Sequence, residues 1–302
     1  VLHNHGIRVV IDGVFNHCGW KFFAFEDVVR NQEKSPYVDW FYSLTFPVVR
    51  PDNMEDIPGY ECFGYERLMP KLNTANPEVR DYLLGVCTYW LKEYDIDGWR
   101  LDVASEINDD FLREFRKIAK SIKKDCFIIG EVWETGQHWL DGSMFDSTMN
   151  YDLRKHCMYF FAKGEYDAYR FDSCVTHMLM RYKKNLLYGQ LNLLDSHDVS
   201  RFYSLCNEDI NRYQLAVIFQ LMFIGVPSIF YGDEKLITGI LEEDYRQPMC
   251  WDIETDMFTF FQRMISIRKQ EEAIRHGEYS TIEARKDSYL YAFMRYTASE
   301  KI

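Results

Sequence analysis

Four short apolar runs, far apart in the sequence, each deliver an acidic residue at their end. Val9-Val10-Ile11 leads to Asp12, with Asn16 and His17 just beyond; Gly98-Trp99-Arg100-Leu101 leads to Asp102; Phe127-Ile128-Ile129-Gly130 leads to Glu131; Leu191-Asn192-Leu193-Leu194 leads to Asp195, His197 and Asp198. Carboxyl groups in such a set suit hydrolysis of a glycosidic bond. One carboxylate attacks or stabilises the anomeric carbon and another protonates the leaving oxygen, about 5 to 5.5 Å apart in retaining enzymes. Arg100 stands two residues before Asp102, on the same side of a strand, where it would keep that carboxylate ionised. Glu131 would instead have to hold a proton, favoured by neighbouring carboxylates and by the apolar Trp133. Any one of these acids alone reads better as a strand-end cap or a salt-bridge partner; four correlated strand ends favour a shared site.

Residues just past the C-terminal ends of strands converge in parallel α/β barrels, and the sequence carries the corresponding alternation of apolar runs with amphipathic helices. Six runs qualify as strands: 7–11, 96–101, 126–129, 144–149, 191–194 and 226–230. The clearest helix is 77–94, with Asn76 as its N-cap, Pro77 in its first turn, and Val79, Tyr82, Leu83, Val86 and Trp90 on one face. Phe111, Leu112, Phe115, Ile118, Ala119 and Ile122 repeat that spacing. The expected fold is a (β/α)8 TIM barrel lacking its first two strand-helix units, which would precede Val1. Residues 1–17 would carry the third strand and 76–275 strands four to eight with their helices. Between them, 18–75 is long, irregular and rich in aromatic residues, which predicts a small inserted lobe around an aromatic core. The β-rich run near 289–296 makes 276–302 the expected start of a C-terminal β domain.

The balance of 35 basic against 47 acidic residues, a net charge of -12, argues against a nucleic-acid partner or an anionic membrane surface. Eight cysteines lack any C-x-x-C pair or dense cluster, so neither a zinc site nor a disulfide scaffold is expected, and the cytoplasm is the expected compartment. The longest apolar stretch, 215–230, is broken by Gln220 and Pro227, which fits a buried helix followed by a strand rather than a membrane span. His138, His156 and His177 lack ligand spacing and read as solvent-facing or capping residues.

Four segments resemble, in order, the sequence signatures of the α-amylase family (glycoside hydrolase family 13): Asp12-Gly-Val-Phe-Asn16-His17, Gly98-Trp-Arg100-Leu-Asp102-Val-Ala104, Gly130-Glu131-Val-Trp133 and Ser196-His197-Asp198. The resemblance implies a nucleophile at Asp102, a general acid/base at Glu131 and a transition-state-stabilising carboxylate at Asp198. It places sugar contacts at His17, Arg100, His197, Trp133 and Arg246, and structural support at Asp12 and Asn16. Met69-Pro-Lys-Leu-Asn73 and Val103-Ala-Ser-Glu106 are similar to the extra signatures of neopullulanases, cyclomaltodextrinases and maltogenic amylases. Such enzymes act on α-1,4 and α-1,6 bonds of maltooligosaccharides, cyclodextrins or pullulan. The expected ligand is therefore an oligosaccharide or polysaccharide, with no cofactor. Asn16 occupies a position that ligates calcium in some amylases, but a structural asparagine is favoured and no metal is expected. The resemblance also implies a dimerising N-terminal domain in the parent protein, making a homodimer of that parent an option.

Departures from the subgroup fall at Glu134-Thr135, where His-Asp is commoner, at Asp195, where glycine is commoner, and at Glu242-Glu-Asp-Tyr-Arg246, in place of Asp-Pro-x-x-Arg. They bear on the outer sugar subsites. With the first two strands absent, a family tyrosine that stacks on the sugar is absent too, so turnover is expected of the parent rather than of this chain. Two alternatives stay open: a transglycosylase, in which a sugar hydroxyl takes the glycosyl group from Asp102, and a non-catalytic amylase-like binding protein.

Overall fold

The computed structural model describes residues 1–53 and 55–302, which divide into two compact units: Val1–Val132 with His138–Ser147, and Trp133–Gln137 with Thr148–Ile302.

In the first unit, parallel strands Val10–Gly13, Gly98–Leu101 and Phe127–Gly130 lie side by side, Asp12 opposite Arg100 and Gly98 opposite Phe127. The second and third of these are largely buried, as their apolar character requires, whereas Val10 in the first is exposed. The strands sit close at Gly98, where a Cβ would come within 2.3 Å of the Phe127 carbonyl oxygen and 3.1 Å of Val10 Cγ2. The helix Pro77–Glu93 starts as expected, Asn76 accepting the N–H groups of Glu78 and Val79. Its buried stripe is shifted, however. Val79, Leu83, Leu84, Cys87 and Leu91 are buried, whereas Tyr82 is exposed and instead packs edge-on or tilted against Phe22, Phe23 and Trp40. The helix Asp109–Ile122 is capped by Asn108 and buries Phe111, Leu112, Phe115 and Ala119.

The stretch 18–75 contains a helix, Phe23–Asn31, and a short antiparallel pair, Cys62–Phe63 with Glu66–Pro70. Phe25 is fully buried there, with ring centroids 4.9 Å from Phe41 and 5.0 Å from both Trp20 and Tyr60. Aromatic edges against faces supply packing in a segment with little regular structure.

In the second unit, strands Leu191–Leu193 and Val226–Ser228 pair in parallel. Helices Tyr151–Cys157, Ala168–Met180, Ile210–Met222 and Asp256–Gln270 contribute to one apolar core that includes Phe171, Val175, Val217, Phe219, Met257 and Phe261. A polar tie runs through this packing. Buried Asn192 donates to the Ile224 carbonyl and accepts from Asn150 Nδ2, while Gln220 Nε2 donates to the carbonyls of Asn192 and Ser228. Each interior amide is thereby partnered, as burial requires. Glu278–Ala284 and Tyr291–Tyr296 form an antiparallel hairpin.

Several elements are shorter than expected. The first strand begins at Val10 rather than Ile7, the run 144–149 contains only the strand Ser147–Thr148, and the last parallel strand stops at Ser228. Among the described residues, no helix is long and apolar enough to cross a membrane.

Candidate active site

In the first unit, strand register decides what meets what. Asp12 and Arg100 are paired across neighbouring strands, and Asp102 lies two residues beyond Arg100. Arg100 Nη1 stands 2.6 Å from Asp102 Oδ1 and 2.8 Å from Asp12 Oδ1, while Nη2 stands 2.9 Å from Glu131 Oε2. One planar guanidinium therefore serves three carboxylates, which a flexible ammonium could not do with the same geometry. Burial works against its charge, yet Glu131, Asp12 and Asp102 together hold Arg100 above its ordinary pKa.

Glu131 is 4% exposed. It also accepts the backbone N–H of Val103 at 2.9 Å, and Val103 itself adopts a left-handed conformation, φ 43° and ψ 44°. For a β-branched residue this is a strained placement. It turns the chain so that the Val103 N–H reaches Glu131 while the Asp102 N–H donates to the Gly13 carbonyl. Trp133 was expected to favour a protonated Glu131. Here the contacts from Arg100 and the Val103 amide both suit a carboxylate.

His17 Nε2 lies 3.9 Å from Asp102 Oδ2, and its ring stacks on Phe63 at 4.9 Å with an 11° interplanar angle. Burial lowers its pKa, and Lys71 adds to that, against the raising pull of Asp102 and Glu106. A neutral ring can donate one hydrogen bond to a sugar hydroxyl and accept another. Asn16 Nδ2 reaches Glu106 Oε2 at 3.4 Å, and Lys71 Nζ reaches the same oxygen at 2.8 Å. Asn16 thus reaches the segment 103–106 through Glu106.

The second unit assembles a different set. Asp198 Oδ1 pairs with Arg246 Nη2 at 3.1 Å and Oδ2 lies 3.1 Å from His197 Nε2. Arg246 Nε also donates to the His197 carbonyl at 2.6 Å, and Nη1 pairs with Glu242 at 2.9 Å. Arg246 thus ties Asp198 to its own loop. Trp133 is 53% exposed and stacks face to face on buried Tyr151, centroids 4.2 Å apart and planes 7° apart. The Tyr151 hydroxyl is 3.1 Å from Ser196 Oγ, which accepts the Asp198 N–H at 3.2 Å.

Six of the expected residues, Asp12, Asn16, His17, Arg100, Asp102 and Glu131, therefore meet in the first unit, and Trp133, His197, Asp198 and Arg246 belong to the second. Phe63, Lys71 and Tyr151 were not anticipated as site residues. An aromatic residue or a lysine inside a motif carries no sign of whose ring or carboxylate it will meet. His156 proves buried and 3.3 Å from Asp152, not solvent-facing, and His177 Nδ1 accepts from Arg181 Nη2 at 2.9 Å. Among the described residues, no group of three or more His, Cys, Asp or Glu is arranged to hold a metal ion.

The family model for the α-amylase catalytic domain matches residues 1–254. A cyclomaltodextrinase of Thermoanaerobacter pseudethanolicus is 45% identical over 286 residues, covering 93% of this chain and 49% of that protein. Neopullulanase 2 of Thermoactinomyces vulgaris is 42% identical over 297 residues, covering 97% and 50%. Among solved structures, a cyclomaltodextrinase superposes with a TM-score of 0.94 at 41% identity, covering 98% of this chain and 51% of that one. The chain spans about half the length of the curated relatives it matches.

Proposed function

The chain belongs to the α-amylase family, whose fold is the (β/α)8 barrel, and from that premise we propose that it carries the machinery of a retaining glycosidase for α-glucosidic bonds. Its substrates are maltooligosaccharides, cyclodextrins or pullulan, cleaved mainly at α-1,4 and also at α-1,6 bonds. The observation that supports this most strongly is the single guanidinium of Arg100, 11% exposed, within 3 Å of Asp12, Asp102 and Glu131.

Asp102 attacks the anomeric carbon, and Arg100 keeps it ionised and oriented. Glu131, once protonated, gives its proton to the leaving glycosidic oxygen. It then takes a proton from the water that hydrolyses the glycosyl-Asp102 ester. Asp198 lends negative charge to the oxocarbenium-like transition state, and His17 and His197 bind sugar hydroxyls. Trp133 offers an exposed ring face for a sugar ring on the leaving-group side. Residues 1–17 and 76–275 supply the barrel, 18–75 the inserted lobe and 276–302 the beginning of a C-terminal β domain. The parent protein acts in the cytoplasm as a homodimer, which sedimentation would check.

Product analysis of the parent protein on maltotriose, γ-cyclodextrin, pullulan and starch tests the proposal, with Glu131→Gln as control. Ring opening and pullulan cleavage that vanish in the control are expected. Sugar binding without cleavage in the unmodified protein would overturn it.

A further inference from the structure

Asp195, which stands where the family more often has glycine, lies fully inside the second unit three residues before Asp198. Its Oδ1 accepts the Phe202 N–H at 2.6 Å. Among the described residues no N–H or hydroxyl donor reaches its buried Oδ2, and the carboxyl group of Asp233, equally buried, is a hydrogen-bond partner of Asp195. Two carboxylates cannot hydrogen-bond each other without a proton, and two adjacent buried negative charges would repel strongly.

Asp233 is in turn fixed by Arg201, whose Nη1 lies 3.1 Å from Asp233 Oδ1, and by the Phe230 N–H at 3.1 Å. Arg201 is fully buried and joins separate pieces of chain. It donates to the carbonyls of Tyr231 and Tyr245 and lies 4.1 Å over the Phe230 ring, and its own N–H binds the Gly239 carbonyl. Arg154 Nε holds the Leu194 carbonyl and Nη2 the Ser200 carbonyl, on either side of Asp195 and Asp198. The residue after Tyr245 is Arg246, the clamp on Asp198.

We propose that Asp195 and Asp233 share one proton as a buried acid pair, and that this pair, with Arg201, holds the 194–202 loop and the Arg246 clamp so that Asp198 is aimed at the reacting sugar. Asp195 and Asp233 are then positioning residues. The inference rests on the catalytic role assigned to Asp198 above.

Burial pushes Asp195 up to about 6, opposed by the Asp233 hydrogen bond, Arg154, the Phe202 amide and Arg201. Burial, the Asp195 charge and the Asp195 hydrogen bond push Asp233 well above the usual carboxylate range. Arg154, Arg201, Tyr213 and the Cys206 thiol are the other ionisable groups interacting with the pair. Because the folded-state values are raised, the pair's contribution to stability is full below the unfolded carboxylate value of about 3.9. It is lost as pH rises through the raised folded values.

The test uses the full chain with Asp233→Asn, Asp195→Asn and Asp195→Ala. Infrared difference spectra at neutral pH are expected to show a protonated carboxyl band that Asp233→Asn removes. Its thermal stability should also no longer fall toward alkaline pH as the unmodified chain's does. In the active parent, Asp195→Ala is expected to lower kcat by about 10²-fold, the scale of a small misplacement of a reacting group, with KM within about twofold. Asp195→Asn, which keeps the hydrogen bonds, should recover most of the loss. Absence of the band, an alkaline stability profile unchanged in Asp233→Asn, or unchanged kcat in Asp195→Ala would each overturn the proposal. Turnover retained by Asp198→Asn would overturn the underlying catalytic reading instead, and the infrared band would still judge the pair.

Discussion

The two units hold their candidate carboxylates by opposite means. Around Asp102 and Glu131, one arginine that is only 11% exposed carries the charges of three acids, and its place follows from the register of three short strands. Around Asp198, the arginine is 44% exposed, and it reaches the acid from a loop that is itself tied down by side chain to carbonyl bonds. A carboxylate on a strand inherits its aim from the ladder. A carboxylate on a loop must have its aim built from separate hydrogen bonds, any of which can be lost alone.

The sharpest test of that contrast is Asp102→Asn. Size and hydrogen bonding stay close to the original while the carboxylate proposed as nucleophile disappears, so turnover in the parent should fall by on the order of 10⁴-fold or more with an unchanged far-UV spectrum. Retained turnover would remove the first half of the comparison. Arg100→Leu should come next. It leaves buried Glu131 and half-buried Asp102 without their cation, and breaking such an arrangement costs about 3 to 5 kcal/mol when fully buried, measurable by denaturant unfolding of this chain. A loss below 1 kcal/mol would mean that water, not Arg100, balances those charges.

Arg246→Ala should separate activity from stability. Its exposed ion pairs are worth about 1 kcal/mol or less, so the unfolding midpoint should barely move. With Asp198 released, kcat should drop by about 10 to 10²-fold. An equal fall in both quantities would show that the loop half is as interdependent as the strand half. The smallest effect is expected for Tyr151→Phe, which keeps the ring under Trp133 and removes only the hydroxyl that meets Ser196. A cost of about 0.5 to 1.5 kcal/mol and a kcat change of a few-fold should appear together.

The same contrast explains what the sequence could and could not announce. Asp12, Arg100, Asp102 and Glu131 were legible because an apolar run followed by a polar residue specifies both a strand and its end, and the alternation of side chains then specifies which residues share a face. The helix at Pro77–Glu93 was legible through its cap, yet its buried stripe was not. Tyr82 is drawn outward by Phe22, Phe23 and Trp40, rings more than forty positions upstream. Arg246 illustrates the same difficulty at the site. Its motif suggested a sugar contact but did not announce the bonds that its guanidinium makes to Asp198, the His197 carbonyl and Glu242. Tyr151 could be seen as the first residue after the cap Asn150, but nothing local reports that its ring will lie flat against Trp133. Pairings across loops depend on where several irregular turns end, and no periodicity records that.

The close contact at Gly98 has a consequence for how errors in assembly are rejected. Any other residue brought opposite the Phe127 carbonyl by a slip of one position would carry a Cβ into a space of 2.3 Å, so the sheet cannot shift there without forcing its strands apart. Since side chains alternate between faces, the same slip would also turn Arg100 and Asp102 away from their partners. The absence of a side chain at one position therefore acts as a check on the placement of charges two and four positions later. A misregistered chain would be unstable before it could be a poor catalyst.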